Sequence, residues 1–276
     1  MRIQQMRQWI CRRGWRPILC AGVLVISPLA SQAADSTTED DWRYSASLYL
    51  WGAGLKGRTG STAGGRGDFD FNVDFDDVLR NLDMAFMGAF EVRKSRWSLL
   101  ADVIYLNTSD INAGADFHVP IVPGSKDRVK VDADVAAKVW LVDLIGGYNV
   151  LTTERGTLDA IAGARYAHVK LDFDGGVNVG RLSRDVDPSP SVSVWDAVIG
   201  GRGHLNLNKQ WYVPYYVDVG TGESDFTWQA LGGLGYRFKW GDVSLSYRHI
   251  GWNFPSNKKL ENFKLSGPLL AATFNF

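Results

Sequence analysis

Gly267-Pro-Leu-Leu-Ala-Ala-Thr-Phe-Asn-Phe276, the last ten residues of the 276-residue chain, alternate in character with a period of two. Leu270, Ala272, Phe274 and Phe276 fall on one face and Ala271, Thr273 and Asn275 on the other, the pattern of a β-strand with one apolar side. The pattern recurs far upstream, where Trp42, Tyr44, Ala46, Leu48 and Leu50 alternate with Arg43, Ser45, Ser47 and Tyr49. Apolar spacings of helical period are nearly absent, while Gly (30 residues) and Trp (11 residues) are abundant. No stretch reaches the roughly 18 uncharged apolar residues of a membrane-spanning helix. One all-β domain accounts for this best.

Between these ends the alternating segments pair into hairpins. Ala85 to Arg93 and Arg96 to Asn107 meet at Lys94-Ser95, too tight a turn for anything except antiparallel strands. Val135 to Val150 and Thr157 to Leu171 flank Thr152-Thr153-Glu154-Arg155, Val192 to Asn206 and Trp211 to Val219 flank Asn208-Lys209, and Asp225 to Lys239 and Val243 to Trp252 flank Trp240-Gly241. With a first strand from Trp42 to about Lys56 and the closing strand, this predicts an antiparallel up-and-down transmembrane β-barrel of about ten strands. Short turns alternate with longer connections at Gly57–Gly67, Ser109–Asp134, Asp172–Pro190 and Asn253–Asn262. Eight or twelve strands follow if the acidic Phe stretch at Asp68–Asp77 or the segment Val129–Asp134 is counted differently.

Residues 1–33 read as a signal peptide. Arg2, Arg7, Arg12, Arg13 and Arg16 form a basic region, Pro17 to Ala30 is apolar, and Ser31-Gln-Ala33 is a small-x-small cleavage pattern, leaving 34–276 as the barrel. Both cysteines, Cys11 and Cys20, lie in this segment, so the remainder has no thiol or disulfide. Removing five arginines and no acid from thirty of each leaves 25 basic and 30 acidic residues, a balance that argues against a nucleic-acid partner.

A closing strand ending on an aromatic carboxylate resembles the C-terminal signal of bacterial outer-membrane barrels, with Phe274 and Phe276 in the assembly-signal positions. The resemblance extends to Tyr49-Leu-Trp-Gly-Ala-Gly-Leu-Lys-Gly57, Val73-Asp-Phe-Asp-Asp-Val-Leu-Arg-Asn-Leu-Asp83 with Met84 to Arg93, and Gly235-Tyr-Arg-Phe-Lys-Trp-Gly241. Together these look like a widespread group of proteobacterial outer-membrane β-barrel proteins. That group has no assigned activity, so the resemblance implies fold and location: the cell outer membrane, reached with periplasmic chaperones and the barrel-assembly machinery, among outer-membrane lipid and lipopolysaccharide. It also puts Phe276 at the periplasmic rim, so the short turns face the periplasm and the long loops face outside. Trp42, Trp97, Tyr148, Trp211, Trp240 and Phe276 then girdle one rim, and Tyr105, Trp140, Tyr166, Trp195, Trp228 and Trp252 the other.

Assigning faces by parity puts Arg43, Glu91, Arg93, Asp102, Asp143, Asp159, Arg165, Asp196, Arg202, Asp218, Arg237 and Arg248 inside. Facing lipid, such charges would cost several kcal/mol each at mid-depth. In a narrow barrel six acids and six arginines are expected to pair, giving either a salt-bridged plug or a narrow charge-lined path for a small solute or ion. The expected role is therefore structural or that of a passive channel, in a monomer with no cofactor or metal. An outer-membrane enzyme acting on lipid or peptide is the alternative. It requires His168 or His249 within reach of Ser or Asp near the outer rim, and no Gly-x-Ser-x-Gly or His-Glu-x-x-His motif is present to supply a nucleophile or metal. The acids of Asp68–Asp77 are spaced like the start of a calcium loop, yet Val73 and Leu79 stand where that loop needs Gly and Glu. A solvated flap at the barrel mouth is the plainer reading of that stretch, and loops rich in acid are a third possibility as a surface for binding.

Overall fold

A computed structural model of the chain describes residues 41–59, 69–118, 128–174, 176–179, 182–185, 191–255 and 260–276. The expected signal peptide and its cleavage site at Ala33 lie outside the described residues.

Nearly every described residue is in antiparallel sheet. In chain order the elements are β1 (Trp42–Trp51), β2 (Gly54–Thr59), β3 (Phe69–Val73), helix α1 (Phe75–Arg80), β4 (Leu82–Lys94) and β5 (Trp97–His118). There follow β6 (Arg128–Thr153), β7 (Gly156–Asp174), β8 (Gly176–Val179) and β9 (Leu182–Asp185). The chain ends with β10 (Ser191–Asn206), β11 (Trp211–Gly222), β12 (Phe226–Arg237), β13 (Asp242–Asn253) and β14 (Leu260–Asn275). The wall runs β1-β4-β5-β6-β7-β10-β11-β12-β13-β14, and β14 pairs back onto β1, so the sheet closes into a ten-stranded barrel. Closure leaves no unpaired edge, which a sheet surrounded by hydrocarbon requires. The closing register sets Leu270 against Leu50 and Phe274 against Ala46, and Phe276 and Tyr44 exchange backbone hydrogen bonds at 2.9 and 3.0 Å.

The first strand is interrupted. β1 and β2 both pair with β14, and the break falls at Gly52-Ala53. Two glycines make it possible: a Cβ on Gly267 would lie 1.7 Å from the Gly52 carbonyl oxygen, and one on Gly52 would lie 2.8 Å from the Phe75 ring of α1. Beyond the break β2 leaves β4 and takes β3 as its neighbour, with Leu55 opposite Val73, and β3 in turn pairs with the far end of β5. The acidic Phe stretch is thus a short strand followed by a helix from Phe75, inserted into the long-loop rim without adding a spanning strand.

The segment Ser109–Asp134, read from the sequence as a polar loop, is largely strand. β5 is 22 residues and β6 26 residues long, against the roughly 9–11 that span a bilayer. Their ladder continues past a bulge between Thr108 and Ile111 as far as His118 and Arg128. Alternation simply persists through Ile111, Ala113, Ala115 and Phe117 and through Val129, Val131 and Ala133, and Asp and Asn on the other face disguise it as loop composition.

Outside, the wall carries exposed apolar side chains such as Leu50, Leu99, Leu144, Ile199 and Leu245. Aromatics band both rims: Trp97 with Tyr148 (4.9 Å) and Trp240 with Phe274 (5.3 Å) at the short-turn rim, Tyr105 with Trp140 (4.5 Å) and Tyr166 with Trp195 (4.8 Å) at the long-loop rim. Trp252 departs from the expected girdle. It sits one residue out of phase with Leu245, Tyr247 and His249, opposite Thr227 and Phe263, and is 1% exposed inside the barrel.

Leu144 lies midway between the two aromatic bands on β6 and is half exposed on the outer face. Leu144→Arg is expected to lower the unfolding free energy in lipid vesicles by about 2–4 kcal/mol, measured by urea titration, because the new charge points into hydrocarbon.

Candidate functional site

Nine of the twelve charges assigned to the interior meet there in two clusters. The mid-depth cluster is a chain of alternating sign. Arg165 on β7 donates to Asp143 on β6 (2.8 Å) and Asp218 on β11 (2.6 Å), and adds contacts to Gln229 Oε1 (2.8 Å) and Thr227 Oγ1 (3.3 Å) on β12. Arg248 on β13 donates to Asp102 on β5 (2.9 Å), lies 3.6 Å from Asp143, and shares Gln229 at 3.3 Å. Its guanidinium rests 5.1 Å from the centroid of the Trp51 ring. Three carboxylates face only two arginines, and two phenols supply the remaining donors: Tyr216 Oη donates to Asp218 (2.7 Å) and Tyr49 Oη to Asp102. Arg165 and Asp218 are each 1% exposed, so every bond in this cluster replaces water lost on burial.

The second cluster lies toward the short turns. Arg93 joins Glu91 (2.9 Å) and Asp159 (2.6 Å), and Arg202 joins Glu91 (2.7 Å) and the Ser98 hydroxyl (3.0 Å), with Asp159 at 3.8 Å. The Asn149 amide donates to Asp159 at 2.8 Å. Glu91 and Arg93, two residues apart on β4, share the inward face because a strand repeats every two residues.

The other three positions stand apart. Arg237 at the short-turn rim bonds Asn206 Oδ1 (2.8 Å) and stacks over Tyr212 at 4.6 Å. Arg43 is exposed at the same rim, opposite Arg93 in the ladder, and has no ion pair with a described residue. Asp196 is buried above the mid-depth cluster and accepts the Ser224 backbone N–H (2.9 Å), while its second oxygen has no partner among the described residues.

Two strands apart or more in the wall, side chains can meet only through the lumen. Arg248 and Asp102 are separated by β14, β1 and β4, and Arg202 and Glu91 by β7, β6 and β5. The ion pairs therefore cross the barrel. Toward the long loops the lumen changes character and fills with Trp51, Leu55, Val139, Val194, Trp252 and Phe263, each at most 5% exposed, closed over by Val73 before α1 and Val78 within it. The inward charges occupy the middle and the short-turn side; the loop side is an apolar core. The uncharged partners were legible by parity, since Tyr49 follows Arg43, Tyr216 precedes Asp218, and Thr227 and Gln229 share a face with Arg237. Which acid would choose which arginine depends on depth and lateral reach, and parity carries neither.

Of the histidines raised as catalytic candidates, His249 lies on the outer face against Trp228, ring centroids 4.5 Å apart. His168 Nδ1 is 2.7 Å from Ser193 Oγ, also outside, on exposed neighbouring strands. No described carboxylate or amide holds the other imidazole nitrogen, so the pair lacks the orienting third group of a hydrolytic site. Among the described residues no group of three or more His, Cys, Asp or Glu is arranged to hold a metal ion.

No protein-family model matches the chain, and no curated protein matches it in sequence. Solved structures do match in fold. The outer membrane protease OmpT of Escherichia coli superposes with a TM-score of 0.52 at 11% identity, over 89% of this chain and 99% of its own. The translocator domain of autotransporter NalP from Neisseria meningitidis gives 0.39 at 14% identity, over 85% and 88%. The attachment invasion locus protein Ail of Yersinia pestis gives 0.33 at 12%, over 86% and 99%. At such identities the likeness to OmpT concerns the fold alone, which is that of outer-membrane β-barrels.

Arg165→Met is expected to destabilise the barrel by about 3–5 kcal/mol, since Asp143 and Asp218 are left buried without their cation. Adding Asp218→Asn should recover part of that loss, so the double variant costs less than the sum of the two single changes in denaturant titrations. Simple additivity would show that the ion pair is energetically idle.

Proposed function

We propose that the chain is an outer-membrane β-barrel with a closed lumen, serving as a structural element of the membrane and as a rigid base for the long β5–β6 ladder outside it. The observation that carries this reading is the bridging of opposite walls by Arg248–Asp102 and Arg202–Glu91, beneath an apolar layer packed like a protein core. A water-filled path needs polar walls with space between them; here the polar groups spend their bonds on one another. The apolar exterior and the two aromatic bands support the location, and in this reading the short turns face the periplasm. Export by the N-terminal signal and insertion by the barrel-assembly machinery belong to the same reading.

Protein extracted from membranes in detergent and reconstituted into a planar bilayer is expected to be electrically silent. Steady single-channel conductance from the wild-type protein would overturn the closed-lumen reading and favour a passive channel.

A further inference from the structure

On the outer face at the long-loop rim, Lys56 of β2 and Lys264 of β14 are direct ladder partners, and both are exposed. No described acid forms an ion pair with either. Like charges placed opposite each other in a sheet repel, and lipid on that face offers them no relief unless it brings an anion. Lys264 is in turn opposite Gly251 of β13. A Cβ at Gly251 would lie 3.1 Å from Trp228 Nε1 and 3.5 Å from His249 Nε2, so both ring nitrogens stand beside bare backbone on the rung that carries the lysines. The His249 nitrogen is buried with no hydrogen-bond partner. Two lysines, an indole N–H and an imidazole thus line one rung of the outer face from β2 to β12, level with the outer aromatic band, with Leu245 and Tyr247 exposed on the same face below.

We infer that Lys56, Lys264, Trp228 and His249 bind the phosphate of a lipid headgroup in the outer leaflet. This deepens the outer-membrane reading above and rests on it. The chemistry fits: a phosphate oxygen accepts from ammonium and indole N–H groups together, and its charge removes the Lys56–Lys264 repulsion. A lipid is favoured over a free anion because the site lies on the apolar exterior, where acyl chains cover Leu245 and Tyr247 while the headgroup reaches the rung above.

The test is native mass spectrometry of the protein extracted from membranes in detergent, titrated with a bis-phosphorylated disaccharide lipid and with the same lipid dephosphorylated. Wild type should hold the phosphorylated lipid more tightly than the Lys56→Gln, Lys264→Gln double variant by on the order of tenfold. Lys56→Arg with Lys264→Arg should retain binding, as should Lys209→Gln with Lys239→Gln at the opposite rim, which makes the same charge change elsewhere. Equal binding by the glutamine variant, or equal binding of the dephosphorylated lipid by wild type, would overturn the inference. Recovery of the chain in the soluble fraction, read before any lipid is added, would instead defeat the outer-membrane reading on which it depends.

Discussion

A guanidinium buried in a barrel needs acceptors to replace the water it loses, and the interior of this protein is arranged around supplying them twice at one depth. They are supplied in full for the Arg165 side chain and at the terminal nitrogens of Arg248, whose Nε has no partner among the described residues. Arg165 and Arg248 share Asp143 and Gln229, and each has a carboxylate of its own, Asp218 or Asp102, capped by a tyrosine. The links run through β11, β7, β6, β13 and β5, so a requirement of electrostatics becomes a set of struts across the barrel. Removing any one partner strands a charge in a low-dielectric space, and that penalty exceeds what the pair itself contributes.

The layering of the lumen follows from the same constraint. Charges can be satisfied only where enough of them meet, and they concentrate in two sets between the centre and the short turns. Above them β3 and α1 fold over the mouth, and with that cover in place the inward positions of the loop side become a core in which Trp252, Phe263 and Leu55 are preferred. The break at Gly52-Ala53 is what lets the cover enter the wall, since the chain leaves β4, the partner of β1, before β2 takes β3 as its neighbour. The sealing at the mouth depends on the glycines at the break, and it stands above the ion pairs that brace the barrel below.

Much of this was legible in the sequence because a β-strand writes its two faces in alternate letters. Parity alone put Arg165, Asp143, Asp218 and Arg248 inside, put His249 outside, and allowed ten strands to be counted. The reading failed where residue type was followed instead of phase, and where pairing depends on tertiary register. Trp252 looked like a rim aromatic because its residue type suits a rim, yet its phase relative to Tyr247 already placed it inside. The extension of β5 and β6 was hidden because the polar residues that alternate with Ile111, Ala113, Ala115 and Phe117 and with Val129, Val131 and Ala133 give the segment the composition of a loop. The insertion of β3 between β2 and β5 could not be read at all, since pairing between segments distant in sequence depends on tertiary register. The ion-pair partners were likewise open until the depth of each side chain was known.

The closed lumen is tested most directly by solvent access to a single thiol. Residues 34–276 contain no cysteine, so Val194→Cys, fully buried on the inward face of β10, gives an unambiguous probe beside Lys209→Cys in an exposed short turn. In the membrane-inserted protein a small charged thiol reagent should modify the Lys209 variant readily and leave the Val194 variant largely unreacted. Comparable rates at the two positions would mean that water fills the barrel, and would contradict the account.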